Sequence, residues 1–260
     1  MSFIKQSAAL SDLRILLTND DGIDAEGLQL LEKLVRQFTQ NIWVCAPATN
    51  QSAKSHSLTT RQDIVLQEHD EQRFSVTGTP ADSVVIGVQQ IMRRNPPHLV
   101  LAGINAGRNL ADDVVYSGTV AAAREASLLG IPAIAFSQQM ADYPNQEWGT
   151  AAAVFAALFP YLLRLVLPAQ SFLNVNFPAK LQPDHKFELV RQGRYKVSES
   201  VTRHNTGGTA FRLQTRTKII NPDDDTDIAA ITRGNISITP LAVDTTDHAA
   251  LSQLSRHEAV

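Results

Sequence analysis

Asp20 and Asp21 stand side by side directly after an apolar run, in the stretch ILLTNDDGID. Adjacent carboxylates raise each other's pKa and oppose folding unless a cation lies between them. Similar clusters follow three other apolar runs. Asn50, Gln51, Ser52, Ser55 and His56 come after IWVCAP, and Gly78, Thr79 and Pro80 after FSVT. HLVLAGIN leads into Asn105, Gly107, Asn109, Asp112, Asp113, Tyr116, Ser117, Gly118 and Thr119. Carboxylates, amide carbonyls and hydroxyls are hard oxygen donors, suited to magnesium, manganese or calcium rather than zinc. A divalent cation would turn the repulsion of Asp20 and Asp21 into chelation.

Ser117, Gly118 and Thr119 open the helical stretch GTVAAAREASLLG. They either cap that helix or, with its free backbone N–H groups, form a cradle for an anion. A metal loop on the same edge of the fold favours the cradle. A helix terminus contributes roughly 0.3–1 kcal/mol to holding an anion, enough to position a phosphate but not to hydrolyse its ester. A cation that polarises the phosphoryl oxygen and acidifies water supplies several kcal/mol more. Metal and cradle together point to phosphate-ester hydrolysis. The adjacent aspartates lack the DxD spacing of enzymes that form an aspartyl-phosphate, so water is the expected nucleophile. His56 is a candidate acid for the departing alkoxide. Asp112 and Asp113 fit either an outer-sphere role or the capping of a turn. GxGxxG at a helix start, GxxxxGK[ST] and GxSxG are all missing, which argues against a dinucleotide cofactor, a P-loop and a serine nucleophile.

These residues need a scaffold that brings strand ends together. Ile15–Leu17, IWVCAP, HLVLAGIN, IPAIAF and FLNVNFP read as buried strands, alternating with helical stretches. The first helix carries Leu28, Leu31, Leu34, Val35 and Phe38 on one face. The second begins at Pro80 and carries Val84, Val85, Val88, Ile91 and Met92. A third ends at Gly130, and a long one from about Trp148 to Leu167 is expected to break or kink at Pro160. This rhythm predicts a doubly wound, mostly parallel α/β sheet, whose ligands bind at the carboxyl ends of its strands. From about Lys186 to Ile231 the rhythm gives way to FELVRQGRYKVSESV and TAFRLQTRTKII, read as strands or long hairpins around the turn HNTGGT, a protruding element suited to self-association. The run Pro222-Asp223-Asp224-Asp225 reads as a solvated hairpin tip. NISITPLAV returns as a strand, and TTDHAALSQLSRH closes the chain as a helix.

The 260 residues suffice for one large core with an appendage, and a net charge of -3 without a dense basic patch argues against a nucleic-acid duplex as partner. Cys45, the single cysteine, lies within an apolar run and reads as a core residue. No stretch approaches the ~20 apolar residues of a membrane span, and the first residues do not read as a secretory signal, so a cytoplasmic location is expected.

The blocks RILLTNDDGIDAEGL, APATNQSAKSHSLT, GTPADSV, LAGINAGRNLADDVVYSGTVAAARE with LGIPAIAFS, NVNFP and SITPL resemble, in order, the signature blocks of the SurE family of metal-dependent acid phosphatases. The resemblance implies a nucleotidase that hydrolyses nucleoside 5′- and 3′-monophosphates to nucleoside and phosphate by metal-activated water. It implies one divalent cation per subunit, magnesium or manganese, held by Asp20, Asp21, Ser52 and Asn105. Asn109, Ser117, Gly118 and Thr119 would surround the phosphate. It also implies a Rossmann-like core at 14–185, a β-rich extension at 186–231 used in homodimers or homotetramers, and a strand and helix at 232–260, with 1–13 as an N-terminal extension. This chain departs from the family pattern at Ala48-Thr49, where Asp-Arg is common, at Ala53, where glycine is usual, and at Ala81 and Ser83, where Thr and Cys are usual. The main rival is a nucleotide-binding regulator that has the metal site but no turnover. A second is a transferase that holds a sugar nucleotide through the acidic pair and metal.

Overall fold

A computed structural model describes residues 9–141, 147–204, 210–219 and 223–257. Its helices are α1 (Glu26–Val35), α2 (Pro80–Ile86), α3 (Asp113–Tyr116), α4 (Gly118–Leu128), α5 (Gly149–Leu163), α6 (Asp227–Thr232) and α7 (His248–His257). The strands are β1 (Ile15–Thr18), β2 (Ile42–Pro47), β3 (Leu66–Asp70), β4 (Arg73–Val76), β5 (Leu99–Ala106), β6 (Ala133–Gln138), β7 (Ser171–Phe177), β8 (Phe187–Leu189), β9 (Tyr195–His204), β10 (Ala210–Ile219) and β11 (Ile236–Ala242).

Nine strands form one sheet in the order β3-β4-β2-β1-β5-β6-β7-β11-β8. The six from β4 to β7 run parallel, while β3 and β11 pair antiparallel with their neighbours β4 and β7. The parallel strands are apolar on both faces because helices cover both. Ile15 and Leu17 of β1 point into the cluster formed with Leu28, Leu31, Phe155 and Phe159 of α1 and α5. Leu16 points the other way, towards Val84, Val120, Ala123 and Ala126 of α2 and α4. From β1 the chain winds outward to β2 and then crosses to β5 on the opposite side. The crevice between the ends of β1 and β5 is therefore a topological switch point, where open α/β sheets bind ligands.

Several local expectations change. The second helix does run on from Pro80, but beyond Ile86 it widens into a π-helical turn over Gly87–Ile91, in which Met92 N donates to Gly87 O at 2.9 Å. Val84 and Met92 are buried, whereas Val85, Val88 and Ile91 are only half-buried. Gly87 lies where a Cβ would come within 2.7 Å of Leu16, so the chain backs directly onto β1 there. The fifth helix neither breaks at Pro160 nor reaches Leu167; it passes through the proline and ends at Leu163. Phe155 and Phe159 stack on each other, and both pack against Phe38. We attribute the helix's continuity to that packing, which outweighs the ~3 kcal/mol that an interior proline costs.

The stretch 186–231 is not wholly β. FEL forms β8 on the main sheet, β9 and β10 pair as a separate antiparallel sheet, and α6 was not foreseen. Thr226 caps α6 by accepting from Ala229 N, and Gly234, at φ +75, follows it, an N-cap and C-terminal glycine that the sequence does display. The turn HNTGGT falls mainly outside the described residues, as does Pro222. Asp223 and Asp225 do not mark a hairpin tip: both pair with Arg191 ahead of α6.

Candidate active site

The site grows from the end of β1. Asn19 folds the chain back by donating from Nδ2 to Gly22 O at 2.8 Å and accepting from Gly22 N, and Gly22 takes φ +109. This turn presents Asp20 and Asp21 at the strand end. Asp20 is 4% exposed, and burial pushes its carboxyl up from 3.8 to about 6. The Thr119 hydroxyl donates to Asp20 Oδ1 at 2.5 Å, which opposes that rise. Asp21 is also raised by burial, while it accepts from Asn50 Nδ2 at 3.3 Å and from Ala106 N at 3.4 Å. The desolvated pair lacks a cationic side chain among these contacts, which leaves it suited to a bound cation.

Three segments converge on the pair. The β2 loop is fixed by Gln51 N donating to Asp20 O at 2.7 Å, and Ser52 N donates to Asn50 Oδ1 at 2.8 Å. The Ser52 side chain is exposed beside them. Asn105 is the penultimate residue of β5, with its Nδ2 donating to Gly107 O at 2.9 Å, so its amide oxygen is the atom left to act as a ligand. Gly103, at φ +127, keeps that strand end in place, since a Cβ would meet Phe136 O at 2.3 Å. Finally, α4 starts against Asp20, where a Cβ on Gly118 would lie 2.7 Å from Asp20 Cβ.

The structure also redistributes the expected anion-binding groups. Ser117 Oγ accepts from Val120 N at 3.1 Å, so the capping bond is present and its O–H proton is left to donate. Thr119 spends its hydroxyl on Asp20. Asn109 is buried in a ladder of amides that sequence reasoning missed. Its Nδ2 donates to Ser137 Oγ, its N donates to Asn176 Oδ1, and its carbonyl accepts from both Asn174 and Asn176. Ser137 and Asn176 are register partners on β6 and β7, a proximity that no local spacing reveals. His56 Nε2 lies 2.8 Å from Glu125 Oε2 on α4. Asp112 precedes α3 without making a side-chain cap, and burial raises the Asp113 carboxyl. Cys45 is fully buried and burial pushes its thiol up to about 12, as befits a core residue.

Among the described residues no three His, Cys, Asp or Glu side chains come together as a metal site. A cation at Asp20 and Asp21 would therefore rely on amide and hydroxyl oxygens to complete its shell. That hard, weakly charged set fits magnesium or manganese and does not fit a closed zinc site.

Comparisons with known proteins agree with this architecture. The family described as Survival protein SurE matches residues 15–199. A 5′-nucleotidase SurE of Paramagnetospirillum magneticum is 42% identical over 244 residues, covering 91% of this chain and 92% of that protein. Another, from Caulobacter vibrioides, is 41% identical over 253 residues, with 93% and 95% covered. The crystal structure of the SurE protein from Aquifex aeolicus superposes with a TM-score of 0.80 at 33% identity, covering 94% of this chain and 99% of that one.

Proposed function

The chain belongs to the SurE family, and from that premise we propose that it is a 5′-nucleotidase, a phosphoric monoester hydrolase that converts nucleoside monophosphates to nucleoside and phosphate. The observation that carries this reading is the meeting of Asp20, Asp21 and Asn105 with the start of α4 at the switch point between β1 and β5.

Asp20, Asp21, Ser52 and Asn105 would hold one divalent cation, magnesium or manganese. When bound, it supplies Lewis acidity towards a phosphoryl oxygen and a more acidic water. The chain's own residues do the rest. The start of α4, with the Ser117 hydroxyl and the Gly118 and Thr119 backbone, receives the phosphate and orients phosphorus for in-line attack by water. The Thr119 hydroxyl fixes the orientation of the Asp20 carboxylate. Asn109, held rigid by Ser137, Asn174 and Asn176, steadies the loop between β5 and α3 and is the proposed amide beside the equatorial oxygens. The separate β9–β10 sheet is the proposed element of self-association. Among the described residues no helix is long and apolar enough to cross a membrane.

The test is phosphate release from AMP, GMP and 3′-AMP with EDTA, magnesium and manganese in parallel. Release abolished by EDTA and restored by a cation is expected. Tight monophosphate binding without release under any metal would replace this reading by that of a regulator.

A further inference from the structure

The loop between β2 and β3 reaches Asp20 and Asp21 through Asn50, Gln51 and Ser52, yet its middle has little support of its own. Ser52, Ala53 and Lys54 are exposed. Ala53 and Ser55 take φ values of 59° and 54°, in the left-handed region that costs a non-glycine residue roughly 1–2 kcal/mol. Such a conformation persists only where other contacts hold it. Those contacts lie just beyond it. Ser55 N donates to Tyr116 O at 3.1 Å, and Ser55 Oγ donates to Val115 O at 2.7 Å. Next, His56 Nε2 meets Glu125 Oε2 at 2.8 Å. Glu125 is only 7% exposed, a carboxylate buried in α4 about two turns below Gly118.

We propose that His56 and Glu125 are positioning residues, a cross-link between the loop that presents Asn50 and Ser52 and the helix whose first turn receives the phosphate. A buried carboxylate needs a partner, and among the described residues His56 supplies it across 69 residues of sequence. The bond fixes the loop relative to α4, and so fixes the exposed Ser52 hydroxyl and, through Asn50, the Asp21 carboxylate relative to the phosphate. The role differs from proton donation to the leaving alkoxide: here the imidazole acts through Ser52 and Asn50. It rests on the metal-dependent nucleotidase reading.

Calorimetric titration of the protein with Mn²⁺ alone, without substrate, tests it on wild type, His56→Ala, Glu125→Gln, Glu125→Ala and the His56→Ala/Glu125→Ala double variant. Removing an outer partner of a metal site typically costs roughly tenfold to a hundredfold in affinity. That weakening is expected for both single alanine variants. The double variant should be no worse than either, and Glu125→Gln, which still accepts from the ring, should retain most of the affinity. Amide exchange should quicken at Gln51 and Ser55 in His56→Ala while core β5 amides stay protected, which separates loop release from failure to fold. Unchanged Mn²⁺ affinity in His56→Ala would overturn the inference. So would losses that add in the double variant, or a His56→Ala defect confined to the pH profile of turnover, as a proton donor would give. A wild type that binds no Mn²⁺ yet releases phosphate would overturn the metal centre and this inference with it, leaving the nucleotidase reading standing.

Discussion

Asp20 and Asp21 oppose each other and lose hydration in the absence of a cation, so removing one charge has opposite consequences for activity and for folding. Asp21→Asn is expected to abolish phosphate release. In EDTA its thermal unfolding midpoint should equal or exceed that of wild type, because one of two desolvated like charges is gone. Turnover assays beside calorimetry in EDTA check this, and an active Asp21→Asn enzyme would remove the aspartate pair from the mechanism. At this scale the sequence was informative wherever a residue lies at a strand end. The ends of neighbouring parallel strands must share an edge, which is why Asp20, Asp21 and Asn105 could be grouped in advance. Partnerships set by helix phase or strand register were not legible. Glu125 meets His56 only because α4 presents that face to the β2 loop, and Asn109 meets Asn174 and Asn176 only because β7 lies beside β6 in one particular register.

Elements enter through close approaches. Gly118 opens α4 directly against Asp20, where a Cβ would also come within 2.9 Å of Oδ2. Alanine there suits a helix well, so the cost falls on the contact rather than on the backbone. Gly118→Ala is expected to lower kcat by roughly a hundredfold, as for a displacement of about 1 Å at a reacting centre, while the far-ultraviolet circular dichroism stays unchanged. Full activity would show that α4 need not touch Asp20. A second element-scale feature is Asp227, fully buried at the start of α6 and accepting from Ala111 N, Gly193 N and Ile228 N. Burial raises its carboxyl above 3.8, so the folded state keeps a proton that the unfolded chain releases. Its contribution to stability is complete below about pH 4 and is lost as pH rises through the folded value. Urea unfolding of wild type and Asp227→Asn between pH 4 and 7.5 should show stability falling more steeply with pH in wild type, since Asp20, Asp21 and Asp113 are raised in both. An upward difference would reverse the assignment. The α6 helix escaped sequence reading because a β-like neighbourhood masked a six-residue helix. Likewise, the two departures at Gly87 and Pro160 depend on what the backbone packs against, which composition does not record.

On the scale of the whole molecule, among the described residues β9 and β10 pair only with each other and leave Val201 and Phe211 59% and 62% exposed. An isolated two-stranded ribbon is at best marginally stable in water. Association with further copies of the chain is the proposed remedy. Sedimentation is expected to give a multiple of 28.4 kDa, and Val201→Glu/Phe211→Glu should shift it towards the single chain. A wild-type protein that sediments at 28.4 kDa at micromolar concentration would refute self-association. The alternation of strand and helix made the main sheet legible along most of its length, because each buried parallel strand announces itself as an apolar run. The ribbon's surroundings were not legible, since exposed alternating strands carry no mark of what they face. The proposed chemistry draws on Asp20–Gly22, Asn50–His56 and Asn105–Glu125, with Ser137, Asn174 and Asn176 behind Asn109, all ahead of the ribbon, which belongs to another sheet. Inheritance can therefore treat the two separately: the ribbon is free to lengthen, shorten or change its companions over generations, while the reaction is passed on unaltered.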